Sequence, residues 1–481
     1  MRNLSSFYIN GSWVKPLGGA GSSTFETISP VTEDVTGRIV LGSYYDVERA
    51  VNAAKTALES FSKTSRHERI ELLKTIAEEY RNRQHDLSEA IAEEMGCPPW
   101  LAKEGQFILP EMHLKTAINI LETYEFESLC GNALIRRQPV GVCGLITPWN
   151  WPLLQIMTKV APALATGCTV VWKPSEYSSF SAQILAEVFD ASGVPPGVFN
   201  MVFGDGGGVG QALSVHPDVD MLSITGSTKA GIEVARQAAF TIKKVHQELG
   251  GKGPSILLED ADFNKAVVSG VKYVMLNSGQ NCTSPTRLLV PRQRLAEAET
   301  IAKETAEAMK VGPPETDALI GPVANKQQWE RVQHMIKQGI DEGAELLLGG
   351  PGRPEGIERG YFVKPTIFSN VSNEMSIARE EIFGPVLTII PYDSVEEAIL
   401  IANDSPYGLA AYVHSARKDH AIQVANRIVA GQIYINGDMD LLDVVVPFGG
   451  RKMSGNGREF GAAGFEAFTE SVAYLGYTSP S

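Results

Sequence analysis

The sequence predicts an α/β chain with two doubly wound parallel sheets, on the strength of two patterns. Short apolar runs alternate with stretches of helical period from residue 141 to about 250, and the alternation restarts after Gly253. Apolar runs separated by helices mark parallel strands covered on both faces. A length of 481 residues exceeds one ordinary core and fits two or three domains.

The elements follow in order. Tyr8-Ile9-Asn10-Gly11 signals a strand and a turn. Residues 46–60 set Val47, Ala50, Val51, Ala54 and Leu58 on one helical face behind Asp46 as N-cap, and Ile70, Leu73, Ile76 and Tyr80 continue on a second helix. In the first alternation, strands are expected at 141–146, 169–172, 199–203 and 221–224. Helices fall at 153–165, 181–191 and 229–239, with another around 211–214. The second alternation has helices at 263–276, 294–310, 325–342, 394–403 and 417–429, and strands at 286–290, 386–390 and 432–435. The Gly/Pro-rich segment 349–360 reads as a surface loop. The two units meet near residues 250–255, between Glu248 and Cys282, and ligands favour such crevices.

Composition narrows the class. A formal charge of −14 argues against nucleic-acid or anionic-membrane partners, which require basic patches. Five cysteines without CxxC or Cys/His spacing suggest reduced thiols in a cytoplasmic setting and no metal. Residues 1–11 lack the apolar run of a signal peptide. The most apolar stretch, 153–171, is interrupted by Lys159, Pro162 and Gly167, so no membrane span is expected.

Several motifs carry candidate chemistry, each with a plainer alternative. Cys282 follows Gly279-Gln280-Asn281 and has polar neighbours; it is a nucleophile or a packed small hydrophobe. Glu248, ahead of Gly250-Gly251, is a general base or a solvated strand end. Thr225-Gly226-Ser227-Thr228 opens a helix, where free amides bind phosphate or Ser227 merely caps. Gly204 to Gly210 is a second glycine-rich turn, but Val209 breaks the GxGxxG spacing. Lys173 and Glu176 stand beyond a strand end, as ribose ligands or exposed charges, and the carboxylate would favour NAD over NADP. Asn150, in the rigid turn Pro148-Trp149-Asn150-Trp151-Pro152, donates to an oxyanion or only braces the turn.

In this order, with Glu381-Ile382-Phe383-Gly384-Pro385 and Pro447-Phe448-Gly449-Gly450, the motifs resemble the NAD(P)-dependent aldehyde dehydrogenase superfamily across nearly the whole chain. The resemblance implies a Rossmann-like cofactor domain (1–121 and 141–250), a catalytic domain (251–453), and a β-flap with C-terminal segment (122–140 and 454–481) that forms a homo-oligomer, dimer or tetramer. It implies Cys282 as nucleophile, Glu248 as base and Asn150 in the oxyanion hole, with Lys159 and Glu470 relaying protons. Ile146, Thr147, Trp149, Lys173, Ser175, Glu176, Gly206, Gly210, Gly226, Ser227, Leu249, Glu381 and Phe383 would contact NAD, with NADP as the alternative. The aldehyde tunnel would be lined by Trp151, Leu154, Gln155, Thr158, Asn281, Thr283, Phe448 and the loop 437–446.

Asn281 departs from the small, apolar or Cys residue usual before the nucleophile. Thr158 is small where relatives carry an aromatic, Val444, Val445 and Val446 are apolar, and the tunnel positions include no arginine. The expected substrate is therefore a hydrophobic aliphatic, terpenoid or aromatic aldehyde. An acidic or pyridyl/aromatic keto-semialdehyde is the alternative. Of other classes, a CoA-acylating enzyme typically lacks the base, and a cofactor-independent thiol esterase leaves Lys173, Glu176 and the Thr225–Thr228 block unexplained.

Overall fold

The computed structural model describes residues 1–18, 22–438 and 443–478. Both expected sheets are present. The first has eight strands in the order 455–456, 244–248, 221–225, 142–146, 169–173, 199–201, 7–9 and 12–14. Its five central strands run parallel, and the edges at 455–456 and 7–14 are antiparallel. The second has seven strands in the order 345–348, 366–369, 386–392, 287–291, 254–257, 410–414 and 432–435, all parallel except the first. Its neighbouring residues point to opposite faces. Ile256 and Ile390 join one apolar cluster while Leu257 and Ile389 join the other, so both faces are covered.

Sequence boundaries shift for local reasons. The first helix is Tyr44–Phe61, and its N-cap is Ser43. Asp46 instead sits three residues on and accepts from the Ser43 amide at 2.8 Å, closing a capping box. The Asn10-Gly11 turn joins strands Phe7–Ile9 and Ser12–Val14 with both turn residues at positive φ, as a two-residue hairpin requires. The helices Gln84–Met95 and Ile108–Thr123 were not foreseen, because buried polar residues, Ser88 and Glu94 in the first and Glu111 and His113 in the second, blur their apolar stripes. Arg287 is buried among the carbonyls of Lys252, Ile401 and Ala402, pinning the junction to the C-terminal turn of helix Val395–Asn403.

A three-stranded sheet, Glu127–Cys130, Ala133–Pro139 and Thr469–Tyr474, forms the expected flap within the chain. The C-terminal segment 454–481 does not belong to it as a unit. Gly455–Asn456 pairs with Gln247 and Glu248 in the first sheet, and helix Gly461–Ala467 packs on helices Ile108–Thr123 and Pro152–Thr166. No helix among the described residues is long and apolar enough to cross a membrane.

Candidate active site

The motifs meet where the sheets face one another. A cleft of ≈ 850 Å³ is lined by Trp149, Asn150, Gly226, Ser227, Glu248, Leu249, Cys282, Glu381 and Phe383, among others. Interlocking glycines draw these segments together. A Cβ on Gly251 would stand 2.2 Å from the Cys282 carbonyl oxygen, and one on Gly279 would lie 2.0 Å from the Gly384 backbone. Asn277, Ser278 and Gly279 all have positive φ, so the chain reverses sharply just before the cysteine. Asn277 Nδ2 donates to the Asn150 carbonyl at 3.0 Å, and Asn150 Nδ2 donates to the Gln280 carbonyl at 3.0 Å. The amide has a second N–H, so Asn150 holds the turn and retains a donor beside the thiol.

Burial pushes the Cys282 thiol well above its usual range, with repulsion from Glu248 and Glu381 adding to it. Burial also raises the Glu248 carboxyl strongly, followed by repulsion from Glu459. No N–H or O–H of the described residues bonds to the Glu248 oxygens. Side by side in this buried setting, the thiol and the carboxyl both resist ionisation.

The expected relay partner is corrected. Glu470 is exposed and sits 3.2 Å from Lys244. Lys159, fully buried, donates to Glu459 at 2.6 Å and to Thr225 Oγ1 at 2.7 Å. Glu459 reaches this interior because its backbone pairs with Phe448, beside the Pro-Phe-Gly-Gly turn. Burial pushes Glu459 up, but Lys159 and His246 outweigh that and hold it below the usual carboxylate range. No local motif marked Glu459 as a partner of Lys159.

On the other side of the cleft, Glu381 Oε1 accepts from the Gly251 amide at 2.9 Å, and burial raises its pKa to about 7. Phe383 takes a positive φ, its carbonyl held by Gln328 at 2.8 Å, and its ring lies 5.7 Å edge-on from Trp149. Ser227 caps helix Thr228–Ala238 through Ala230, leaving the first amides of that helix at the cleft.

Lys173 donates to the Gly204 carbonyl at 2.7 Å and lies 3.6 Å from Glu176. Its Cδ is 3.7 Å from the Gly210 Cβ position, whereas nothing lies within 4 Å of the Gly206 position, so the turn is open there. Ile146 is paired with Lys173 in the sheet. Two expected contacts are otherwise occupied: Thr147 Oγ1 accepts from Trp172 at 2.9 Å, and Ser175 Oγ accepts from the Tyr177 amide at 3.3 Å. Aromatic edges, a buried carboxylate and a helix N-terminus in one cleft suit a dinucleotide, while the open glycine turn at Gly206 lies outside that cleft's lining.

The predicted aldehyde wall is partly rearranged. Trp151 Nε1 donates to Asn281 Oδ1 at 2.6 Å, and Asn281 Nδ2 donates to the Leu276 carbonyl at 2.8 Å, so Asn281 is locked. Thr158 is not an open wall residue: its hydroxyl donates to the Gln155 carbonyl and to Glu459. Thr283 bonds to the Tyr273 hydroxyl, and its carbonyl accepts from Tyr412 at 2.7 Å. Tyr412 stacks on Tyr434 at 4.8 Å. These tyrosines lie on three separate elements, so nothing in their spacing pointed to the site. Phe448 and Phe460 stack at 4.6 Å and pack against Cys282. Leu154 is buried on helix Pro152–Thr166, in the first sheet's apolar core. Of the loop 437–446, residues 439–442 lie outside the described residues, while Val445 and Val446 are exposed.

The comparisons with known proteins agree with this geometry. The Aldehyde dehydrogenase family profile matches residues 17–473. The chain is 51% identical to a 3-succinoylsemialdehyde-pyridine dehydrogenase of a Pseudomonas species, over 99% of both chains. It superposes with a TM-score of 0.97 and 49% identity on a mutant aldehyde dehydrogenase C of Pseudomonas syringae in complex with NAD+ and octanal, covering 99% of this chain and 97% of that one. For a Mycobacterium tuberculosis aldehyde dehydrogenase in complex with NAD+, the TM-score is 0.94 at 39% identity, covering 98% of each. By profile, by identity and by fold, this chain belongs to the aldehyde dehydrogenase family.

Proposed function

We propose that the protein oxidises a hydrophobic aliphatic or aromatic aldehyde to its carboxylic acid with NAD+, through a thioester on Cys282. The observation that carries this reading is the apposition of Cys282 and Glu248 in one cleft, with the Asn150 amide beside the cysteine turn. Cys282 Sγ bonds to the aldehyde carbon as its proton passes to Glu248. The oxygen gains negative charge, and Asn150 Nδ2 with the Cys282 backbone N–H stabilises it. Bound NAD+ supplies a hydride acceptor, leaving the thioester on sulfur. Glu248 then takes a proton from water, the water oxygen bonds to the acyl carbon, and the C–S bond breaks to release the acid.

Glu381 and Phe383 position the nicotinamide end, Trp149, Gly226, Ser227 and Leu249 line the middle, and Lys173, Glu176, Gly206 and Gly210 hold the adenosine end. The cofactor unit comprises 1–121 and 141–250, and the catalytic unit 251–453. Leu129, Tyr474 and Leu475, exposed on and beside the flap sheet, favour a homo-oligomer. The composition and reduced thiols favour the cytoplasm.

Support for an apolar substrate comes from Phe448, Phe460 and Leu409 packed against Cys282 and from the octanal carried by the P. syringae relative. The Pseudomonas pyridyl-semialdehyde enzyme favours a second reading, a pyridyl keto-aldehyde, with the Tyr273–Tyr412–Tyr434 cluster beside Thr283 as an aromatic wall. An aldehyde panel of octanal, benzaldehyde, 3-succinoylsemialdehyde-pyridine and succinate semialdehyde, each with NAD+ and with NADP+, separates them. Equal turnover of octanal and succinate semialdehyde defeats the apolar assignment. No reduced cofactor with any aldehyde defeats the function.

A further inference from the structure

Glu248 is used twice in each turnover, so it must lose a proton between the thiol step and the water step. The strand Lys244–Glu248 alternates its side chains. Gln247 turns to one side and donates to the Gly231 carbonyl at 2.7 Å. Lys244, His246 and Glu248 share the other side, with successive members about 6.6 Å apart along the strand. Glu248 is at the buried end. Lys244 is at the surface, 37% exposed and 3.2 Å from Glu470.

His246, midway between them, is 4% exposed, and neither ring nitrogen has a hydrogen-bond partner among the described residues. A buried imidazole with two unsatisfied nitrogens is costly unless it is used. A Cβ on Gly457 would lie 2.1 Å from His246 Cδ2, so the ring is held flat against that glycine. The charged groups around it are Lys159 from helix Pro152–Thr166, Glu459 and Arg458 from the segment after Gly455–Asn456, and Lys244 on its own strand. Glu459 and Lys159 in turn reach both Glu248 and His113. His113, on helix Ile108–Thr123, also has an unpartnered buried Nε2 and packs on Phe460 at 4.2 Å. Three orphaned imidazole nitrogens thus flank the Lys159–Glu459 pair.

We propose that His246 is a positioning residue of the proton exit: the proton taken up by Glu248 passes by the Lys159–Glu459 pair to His246 and leaves at Lys244. No bond other than O–H and N–H changes. An imidazole accepts a proton on one ring nitrogen and gives up another from the other nitrogen, so it carries charge only in transit. Burial, which lowers the His246 pKa to about 4, agrees with a group that does not store the proton. The inference rests on Glu248 being the base of the proposed reaction.

The test is a single-turnover and steady-state comparison of wild type, His246→Phe and His246→Gln with NAD+ and octanal, in H2O and D2O across pH. Glutamine keeps hydrogen-bonding atoms but cannot titrate, so it separates proton transfer from packing. Both variants are expected to give a normal burst of reduced cofactor, with acid release slowed about tenfold and a larger solvent isotope effect. Wild-type acid release and isotope effect in either folded variant overturn the path. If His246→Phe does not fold, His246→Gln decides alone. A wild-type protein that forms no reduced cofactor with any aldehyde overturns the function itself, and the path with it.

Discussion

The two sheets present opposite ends to the same cleft. In the first, the motif residues follow the strands: Thr147–Asn150 after Val142–Ile146, Gly226 and Ser227 after Met221–Thr225, and Glu248 closing Lys244–Glu248. In the second they precede them: Gly251 before Pro254–Leu257, Cys282 before Arg287–Pro291, and Glu381–Pro385 before Val386–Tyr392. Open α/β sheets usually bind ligands beyond their carboxyl ends. The first sheet obeys that rule as a binding platform. The second is inverted, and its tight pre-strand turns carry Cys282 and Glu381 to the cleft. Its own carboxyl end opens on a separate cavity of ≈ 410 Å³ lined by Asp260, Asp262, Lys265 and Ser415, among others. Position at a strand end is therefore not enough to make a site; an apposed partner element is also needed.

Perturbing each end tests the contrast. The largest effect is expected from the second sheet's amino end: Cys282→Ser removes dehydrogenase activity to the detection limit while cofactor binding, followed by fluorescence quenching, persists. At the first sheet's carboxyl end, Glu248→Gln slows the burst of reduced cofactor without changing its amplitude and slows acid release by roughly 10²–10⁴; unchanged steady turnover would remove the base from Glu248. Asn150→Ala lowers kcat by on the order of 10²–10³ with a smaller change in KM, measured by initial rates.

Cofactor affinity should follow Glu381. A carboxyl raised to about 7 is protonated below that pH, and its ionised form accepts ribose hydroxyls more strongly than the neutral acid. The KM for NAD+ is thus expected to fall as pH rises through about 7, and Glu381→Gln flattens the profile; a variant with the same slope refutes the assignment. The smallest effect belongs to the idle carboxyl end. Asp260→Asn, which weakens bonds to Ser415 Oγ and the Arg417 amide, costs about 1 kcal/mol of stability by thermal melt and leaves kcat/KM within about twofold.

The strand–helix alternation made both sheets legible, because buried parallel strands must be continuously apolar and their crossovers amphipathic. Of the second sheet, Pro254–Leu257 and Ala410–His414 escaped as runs of only four and five residues, and Glu345–Leu348 and Thr366–Ser369 escaped because Glu345 and Leu346 lie exposed on an antiparallel edge and Thr366 and Ser369 leave only two apolar residues between them. Cys282, Glu248 and Asn150 were legible because each stands in a distinctive local run. Glu459 was not: it reaches Lys159 only through a single backbone bridge to Phe448. Glu470 drew the relay assignment instead, though its side chain points to Lys244 and solvent.

By itself the sequence determined which side chains are candidates for chemistry and in which kind of layer they stand, because apolar period, glycine placement and side-chain type are local properties of the chain. Only the tertiary structure decided which of those groups meet. Pairings such as Lys159 with Glu459, Trp151 with Asn281 and Tyr412 with Thr283 join residues more than a hundred positions apart. Their proximity is set by sheet order and by backbone approach at glycines, neither of which leaves a periodic trace in the chain.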